Sequence, residues 1–170
     1  DLCKYLWRNI TSDFWEVSYA SKVDLLYSRH YFRPAVTTSY MFDYWLWHLR
    51  PLGYHLNNLV FHLGSAIVFF FISRRLLDGS LWGAFFSALV FAVHPTKCES
   101  VTWISGRTDV IMGFFFLLSF WHFLKITSGE RTVLAYTVML ASFLLALLSK
   151  EAAVILPFVF LLYDFVYLSR

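Results

Sequence analysis

Two runs of almost pure hydrocarbon, Leu81 to Val93 and Val110 to Phe123, enclose the polar strip His-Pro-Thr-Lys-Cys-Glu-Ser-Val-Thr-Trp-Ile-Ser-Gly-Arg-Thr-Asp at residues 94–109. Few folds accommodate that arrangement. Such runs read as membrane spans, and the strip between them as the turn at one bilayer face. A turn needing only solubility is made of Gly, Ser and Asn. This one carries His94, Lys97, Glu99, Arg107 and Asp109, which marks it as one wall of an active site.

Composition supports the membrane reading. The 170-residue chain is 59% apolar and 21% aromatic but only 15% charged, against roughly 25% charged in soluble domains. The fold class that follows is an all-α integral membrane protein, a multispanning helical bundle. The net charge of +3 is spread over helix ends without a basic stripe, so nucleic acid is not an expected partner, whereas membrane lipid and phosphorylated lipid are. Cys3 and Cys98 are too few for a disulfide framework; they fall on one predicted side of the membrane and either pair in an oxidising lumen or stay as free thiols. No Gly-rich phosphate loop, Cys-x-x-Cys pair or His-x-x-x-His spacing is present, so no metal or nucleotide cofactor is expected.

The chain opens on Asp1, without a charged n-region leading into an apolar stretch, and reads as a fragment. Residues 1–33 scatter Trp7, Phe14, Trp15, Tyr19, Tyr27, Tyr31 and Phe32 among charges, as suits a lobe lying against lipid headgroups. Asn9-Ile10-Thr11 is a glycosylation sequon that would place this lobe in a lumen. Residues 35–50 read as an amphipathic interfacial helix, opened by Pro34 and closed by Pro51. Residues 1–50 thus form a luminal juxtamembrane lobe and 51–170 a transmembrane bundle of about five helices. The crossings begin with Tyr54 to Ile72 and Leu81 to His94. The latter is only about 21 Å long at the helical rise, short of the hydrocarbon thickness, so its His94 end would lie in a thinned bilayer or a wet recess. They continue with Asp109 to Lys125, Thr132 to Ser149 and Ala152 to Leu168. Alternation places Arg74, Arg75, Lys125, Arg131 and Arg170 on one face, read as cytoplasmic, and Arg33, Lys97, Arg107 and Lys150 on the other.

A phosphorylated lipid at this face needs cations to hold its phosphate, and any transfer from it to a hydroxyl needs a carboxylate to take the proton. Arg107 and Lys150 are the leading phosphate candidates, against an alternative in which they snorkel to headgroups. Arg33, at a helix start where backbone amides already favour anions, either joins them or grips lipid. His94 stands as a catalytic candidate or as a cation favoured by a helix C-terminus. Glu99 and Asp109 either orient the arginine or contact substrate hydroxyls, with loop ion pairing or a helix cap as the plain alternatives. Glu151 joins Lys150 at the start of a span, where an acid also complements the helix dipole. Asn58 and His62 share a helix face and are assigned to hydrogen bonds with a neighbouring helix.

Six segments in order carry a resemblance: Tyr31-Phe-Arg-Pro34, Asp43-Tyr-Trp-Leu-Trp47, Leu52-Gly-Tyr-His-Leu-Asn-Asn58, Phe91-Ala-Val-His-Pro95, Glu99-Ser-Val-Thr-Trp-Ile-Ser-Gly-Arg107 and Leu148-Ser-Lys-Glu151. From about Leu6 onward the chain resembles the transmembrane and tetratricopeptide-repeat O-mannosyltransferases. The resemblance implies a C-type glycosyltransferase fold in the endoplasmic reticulum membrane, with the motif loops luminal. It also implies a donor, dolichyl phosphate mannose, and Ser or Thr hydroxyls of secretory-pathway proteins, cadherins among them, as acceptors. It implies further an acidic pair upstream of Asp1 and tetratricopeptide repeats beyond Arg170, so that this fragment lacks the catalytic base and is inactive alone. A transporter or channel module, with Asn57, Asn58, His62, His94 and Lys150 lining a path, and a non-catalytic membrane scaffold are the other classes weighed; charge gathered outside one face, rather than at the midplane, counts against a path.

Overall fold

The computed structural model describes residues 33–168; the aromatic-rich lobe before them, with the Asn9 sequon and Cys3, lies outside the described residues, as does Arg170. Every regular element among the described residues is helical. Helix α1 spans Pro34–Trp47, α2 Pro51–Leu76, α3 Leu81–Val93, α4 Pro95–Thr102, α5 Arg107–Thr127, α6 Val133–Leu147 and α7 Leu156–Tyr163. Proline opens α1, α2 and α4, where its missing N–H is no loss and its fixed φ already suits a helix. Side chains cap α3, α4 and α6 by accepting backbone N–H bonds: Ser80 from Gly83, His94 from Thr96 and Thr132 from Ala135. The α2–α3 return places Asp78 (φ 50°) and Gly79 (φ 84°) in the left-handed region, which lets the chain reverse in a few residues.

α2 and α5 run side by side in the same direction, with Phe61 against Phe114 near one end and Phe71 against Trp121 further along, both at 5.7 Å between ring centroids. Gly64 lets them approach, since a Cβ there would lie 2.9 Å from the Phe114 ring; small residues at helix contacts serve this purpose in membranes. α3 returns along α2, stacking Phe91 on Phe69 at 4.9 Å. His62 Nε2 lies 3.0 Å from the Ala92 carbonyl oxygen. α6 returns along α5, and the buried Ser119 hydroxyl donates to the Met139 carbonyl at 2.8 Å. α2 and the helical stretch Ile104–Thr127 are long and apolar enough to cross a membrane, while α3 and α6 are shorter apolar helices. The phenylalanine triplets are therefore shared between helix contacts and outward-facing surface.

Two features depart from the sequence reading. The strip 94–109 is not an open turn: it folds as α4, a 3-10 turn at Ile104–Gly106 and the first turn of α5. Gly106 makes this compact passage possible, because a Cβ there would stand 2.5 Å from the Ser100 carbonyl oxygen and 2.8 Å from its Cα. Backbone cannot swing aside as a side chain can. Gly106→Ala is expected to cost about 1–3 kcal/mol, the usual range for overpacking, measured as a fall in Tm of the detergent-purified full-length protein; an unchanged Tm would show that the α4–α5 passage is loose. The last segment is also irregular, with a 3-10 turn at Glu151–Ile155, then α7, then a π turn at Asp164–Leu168. Pro157, in the first turn of α7, has no N–H to bond the Ala153 carbonyl and its ring crowds that carbonyl, so the α-helix begins only beside it.

Candidate functional site

α1 approaches the α2–α5–α6 bundle at the end where α5 starts and α6 finishes. Its N–H at Ala35 donates to the Leu148 carbonyl at 3.4 Å, and the Tyr40 hydroxyl donates to the Ile104 carbonyl at 2.7 Å. Burial pushes the Tyr40 pKa up, partly offset by Arg107, so the phenol keeps the proton it donates. Four of the residues singled out in the sequence meet here as two ion pairs. Lys150 pairs with Asp109, and Arg33, at the N-cap position of α1, lies 3.2 Å from Glu151. Both pairs reach solvent, with side chains 30% exposed at Lys150 and 20% at Arg33. The Glu151 carboxyl is held below its ordinary pKa, first by its own backbone N–H; burial opposes this as the next largest effect, and Arg33 and then Lys150 add to the lowering. It is therefore a cation-orienting carboxylate and a poor base.

Arg107 lies at the same end but in a different environment. Its side chain is fully buried. Nε donates to Asn58 Oδ1 at 2.8 Å, Nη1 pairs with Asp43 Oδ2, and Nη2 donates to the Tyr54 carbonyl at 2.7 Å. The Tyr40 ring covers the guanidinium with its centroid 4.6 Å away. Asp43, 1% exposed, takes a further bond from Asn57 Nδ2, and Asn58 Nδ2 donates to the Trp103 carbonyl at 3.1 Å. The carboxylate that orients Arg107 is thus Asp43; Asp109 instead engages Lys150, and Glu99 lies exposed on α4. His94 is exposed as well, its Nδ1 turned to Thr96 at the start of α4. Among the described residues no hydrogen bond or ion pair joins His94 or Glu99 to the Lys150 and Arg33 pairs. Cys98 is exposed, and no cluster of metal-ligating side chains occurs among the described residues.

A groove of about 660 Å³ opens between α1, α2, α5 and α6; none of Arg33, Asp109, Lys150 and Glu151 lines it, but Pro34, next to Arg33, and Leu148, two residues before Lys150, do. Val60, Phe61, Ile111, Phe115, Leu145 and Leu148 make its apolar wall; Thr38 and Ser39 add hydroxyls, and Asn57 and the Asp43–Arg107 pair border it, the pair with almost no exposed surface. At the opposite end of α5, Lys125 pairs with Glu130 at 3.0 Å, so the charges of the two ends do not mix.

Sequence comparison places this arrangement. The chain is 31% identical over 153 residues, 89% of its length, to protein O-mannosyl-transferase TMTC3 of Mus musculus. It is 30% identical over 173 aligned residues, 96% of its length, to protein O-mannosyl-transferase TMTC1 of Homo sapiens. The chain belongs to the TMTC family. A third relative, protein O-mannosyl-transferase TMTC2 of Mus musculus, is 37% identical over 94 residues, 55% of the chain. The chain spans only 16% of the length of the first relative and 19% of the second. No family model matches it, and no solved structure does. Within this TMTC-family segment, Asp43 is the site residue to which sequence reasoning gave no role beyond its place in a motif segment. The signal was available: a lone acid in an otherwise aromatic helix must be paired when buried, and Arg107 needed a partner.

Proposed function

We propose that this chain forms part of the membrane domain of a glycosyltransferase that moves mannose from dolichyl phosphate mannose to Ser or Thr hydroxyls of secretory-pathway proteins. The bundle crosses the endoplasmic reticulum membrane with the Arg33, Asp109 and Lys150 end in the lumen. The observation that carries the reading is the meeting of two solvent-reached cations, Lys150 and Arg33, each steadied by a carboxylate, at the end of the bundle where Pro34 and Leu148, their near neighbours in sequence, line an apolar-walled groove. A phosphate with a hydrocarbon tail asks for that combination: fixed cations for the charge that grows on the leaving group, and a greasy surface for the chain behind it. Lys150 holds the donor phosphate and Arg33 assists it, while Asp109 and Glu151 keep the two cations in place. The many outward apolar side chains, among them Leu140, Leu144, Phe158 and Leu161, suit contact with lipid.

The test is direct. Full-length protein in membranes should transfer labelled mannose to a Ser/Thr-containing acceptor peptide from dolichyl phosphate mannose and not from a nucleoside-diphosphate mannose. Transfer from the nucleotide-linked sugar, or from neither donor, would overturn the assignment.

A further inference from the structure

We propose that Asp43 and Arg107 form a buried lock that positions α1, and with it Arg33, against the end of α6, and that Arg107 acts through this contact and not as a ligand of the donor phosphate. The proposal rests on the transferase reading above and assigns roles within that site. Only Pro34, Val36 and Asp43 of α1 are buried. Its Phe42, Tyr44, Trp45 and Leu46 side chains face outward. A helix that buries so few apolar side chains gains little from apolar packing alone. Its firmest attachments are polar: Asp43 to Arg107 and Asn57, Tyr40 to Ile104, and Ala35 to Leu148. The lock therefore decides where the start of α1 sits.

Arg107 is a poor phosphate ligand as placed. All three of its nitrogens are engaged, no part of it reaches solvent, and two tyrosine rings, Tyr40 and Tyr54, flank its guanidinium. A phosphate drawing Nη1 away from Asp43 would leave that carboxylate in the interior without its ion-pair partner, a strongly unfavourable exchange. Lys150 and Arg33 can meet an anion without such a loss, since both are partly in water already.

The experiment uses the full-length protein in membranes, with its native cysteines, Cys3 and Cys98 among them, replaced by serine and a cysteine pair, Ala35→Cys with Leu148→Cys, as the reporter of α1 docking. Cross-link yield, donor KM and kcat are measured for Asp43→Asn, Arg107→Gln and the double variant Asp43→Asn/Arg107→Gln. Each single variant leaves a charge buried alone and should lose cross-linking and lower kcat/KM by about tenfold or more per folded molecule. The double variant removes both charges and keeps amide hydrogen bonding, so it should recover cross-linking and kcat/KM to within about threefold of the parent. A double variant that cross-links normally but keeps a donor KM raised by tenfold or more would make Arg107 a ligand and overturn the proposal, as would single variants that cross-link normally. If the parent protein transfers no mannose at all, the transferase reading fails while the cross-link yields still decide the lock.

Discussion

Truncation of Arg107 to alanine should destabilise the protein by about 3–5 kcal/mol, the typical cost of removing one partner of a buried ion pair. The magnitude comes less from the attraction lost than from what is left behind. Asp43 would remain 1% exposed with only Asn57 to serve it, and Asn58 Oδ1 would lose its donor. A loss of that size rivals the whole stability of many domains, so Arg107→Ala should appear as a fall in yield of monodisperse protein extracted from membranes. Arg107→Lys should recover it only partly, because an ammonium keeps the charge but cannot reach Asp43, Asn58 and the Tyr54 carbonyl with the spread of a guanidinium. A wild-type yield and Tm for Arg107→Ala would mean that the side chain is far wetter than its contacts indicate.

Lys150→Ala should have the opposite signature, a folded protein that has lost its chemistry. The Lys150–Asp109 pair is partly exposed, and such pairs contribute roughly 0–1 kcal/mol to stability. As the cation on the departing phosphate, however, the same ammonium is worth about 10²–10³ in rate, the range seen when one preorganised donor is removed from developing charge. The check is mannose transfer at matched protein level, with Arg131→Ala as a control at the far end of α5. Loss of expression together with activity would reassign Lys150 to the fold, and full activity would reassign it to headgroup anchoring.

Much of the architecture was legible because hydrocarbon runs and prolines act locally. Leu81 to Val93 became α3 within a residue of its expected end, and Pro34 marks the first turn of α1, whereas Pro51, expected to close that helix, opens α2 instead. The expected gathering of Arg33, Asp109, Lys150 and Glu151 at one end also follows from alternation alone, since helices that return by short turns bring alternate loops together. The environment of each charge was less accessible to such reasoning. Arg107 and Lys150 look alike in sequence, each near the edge of an apolar run. What separates them is that Arg107 is the first residue of α5 and faces α1 and α2, while Lys150 follows the end of α6 and faces outward. The choice between Asp43 and Asp109 as the partner of Arg107 depends on how α1 folds back over the bundle, a contact across 64 residues that no local pattern encodes. Likewise, the helical winding of 94–109 depends on the Gly106 backbone lying against Ser100, which spacing does not reveal.

The central claim is that the Lys150 and Arg33 end of the bundle receives a lipid phosphate. Equilibrium binding of dolichyl phosphate to the detergent-purified full-length protein tests it without requiring turnover. Lys150→Ala should weaken the Kd by about tenfold or more, at least 1.4 kcal/mol, with Arg131→Ala unchanged; equal Kd values for the parent and Lys150→Ala would contradict it.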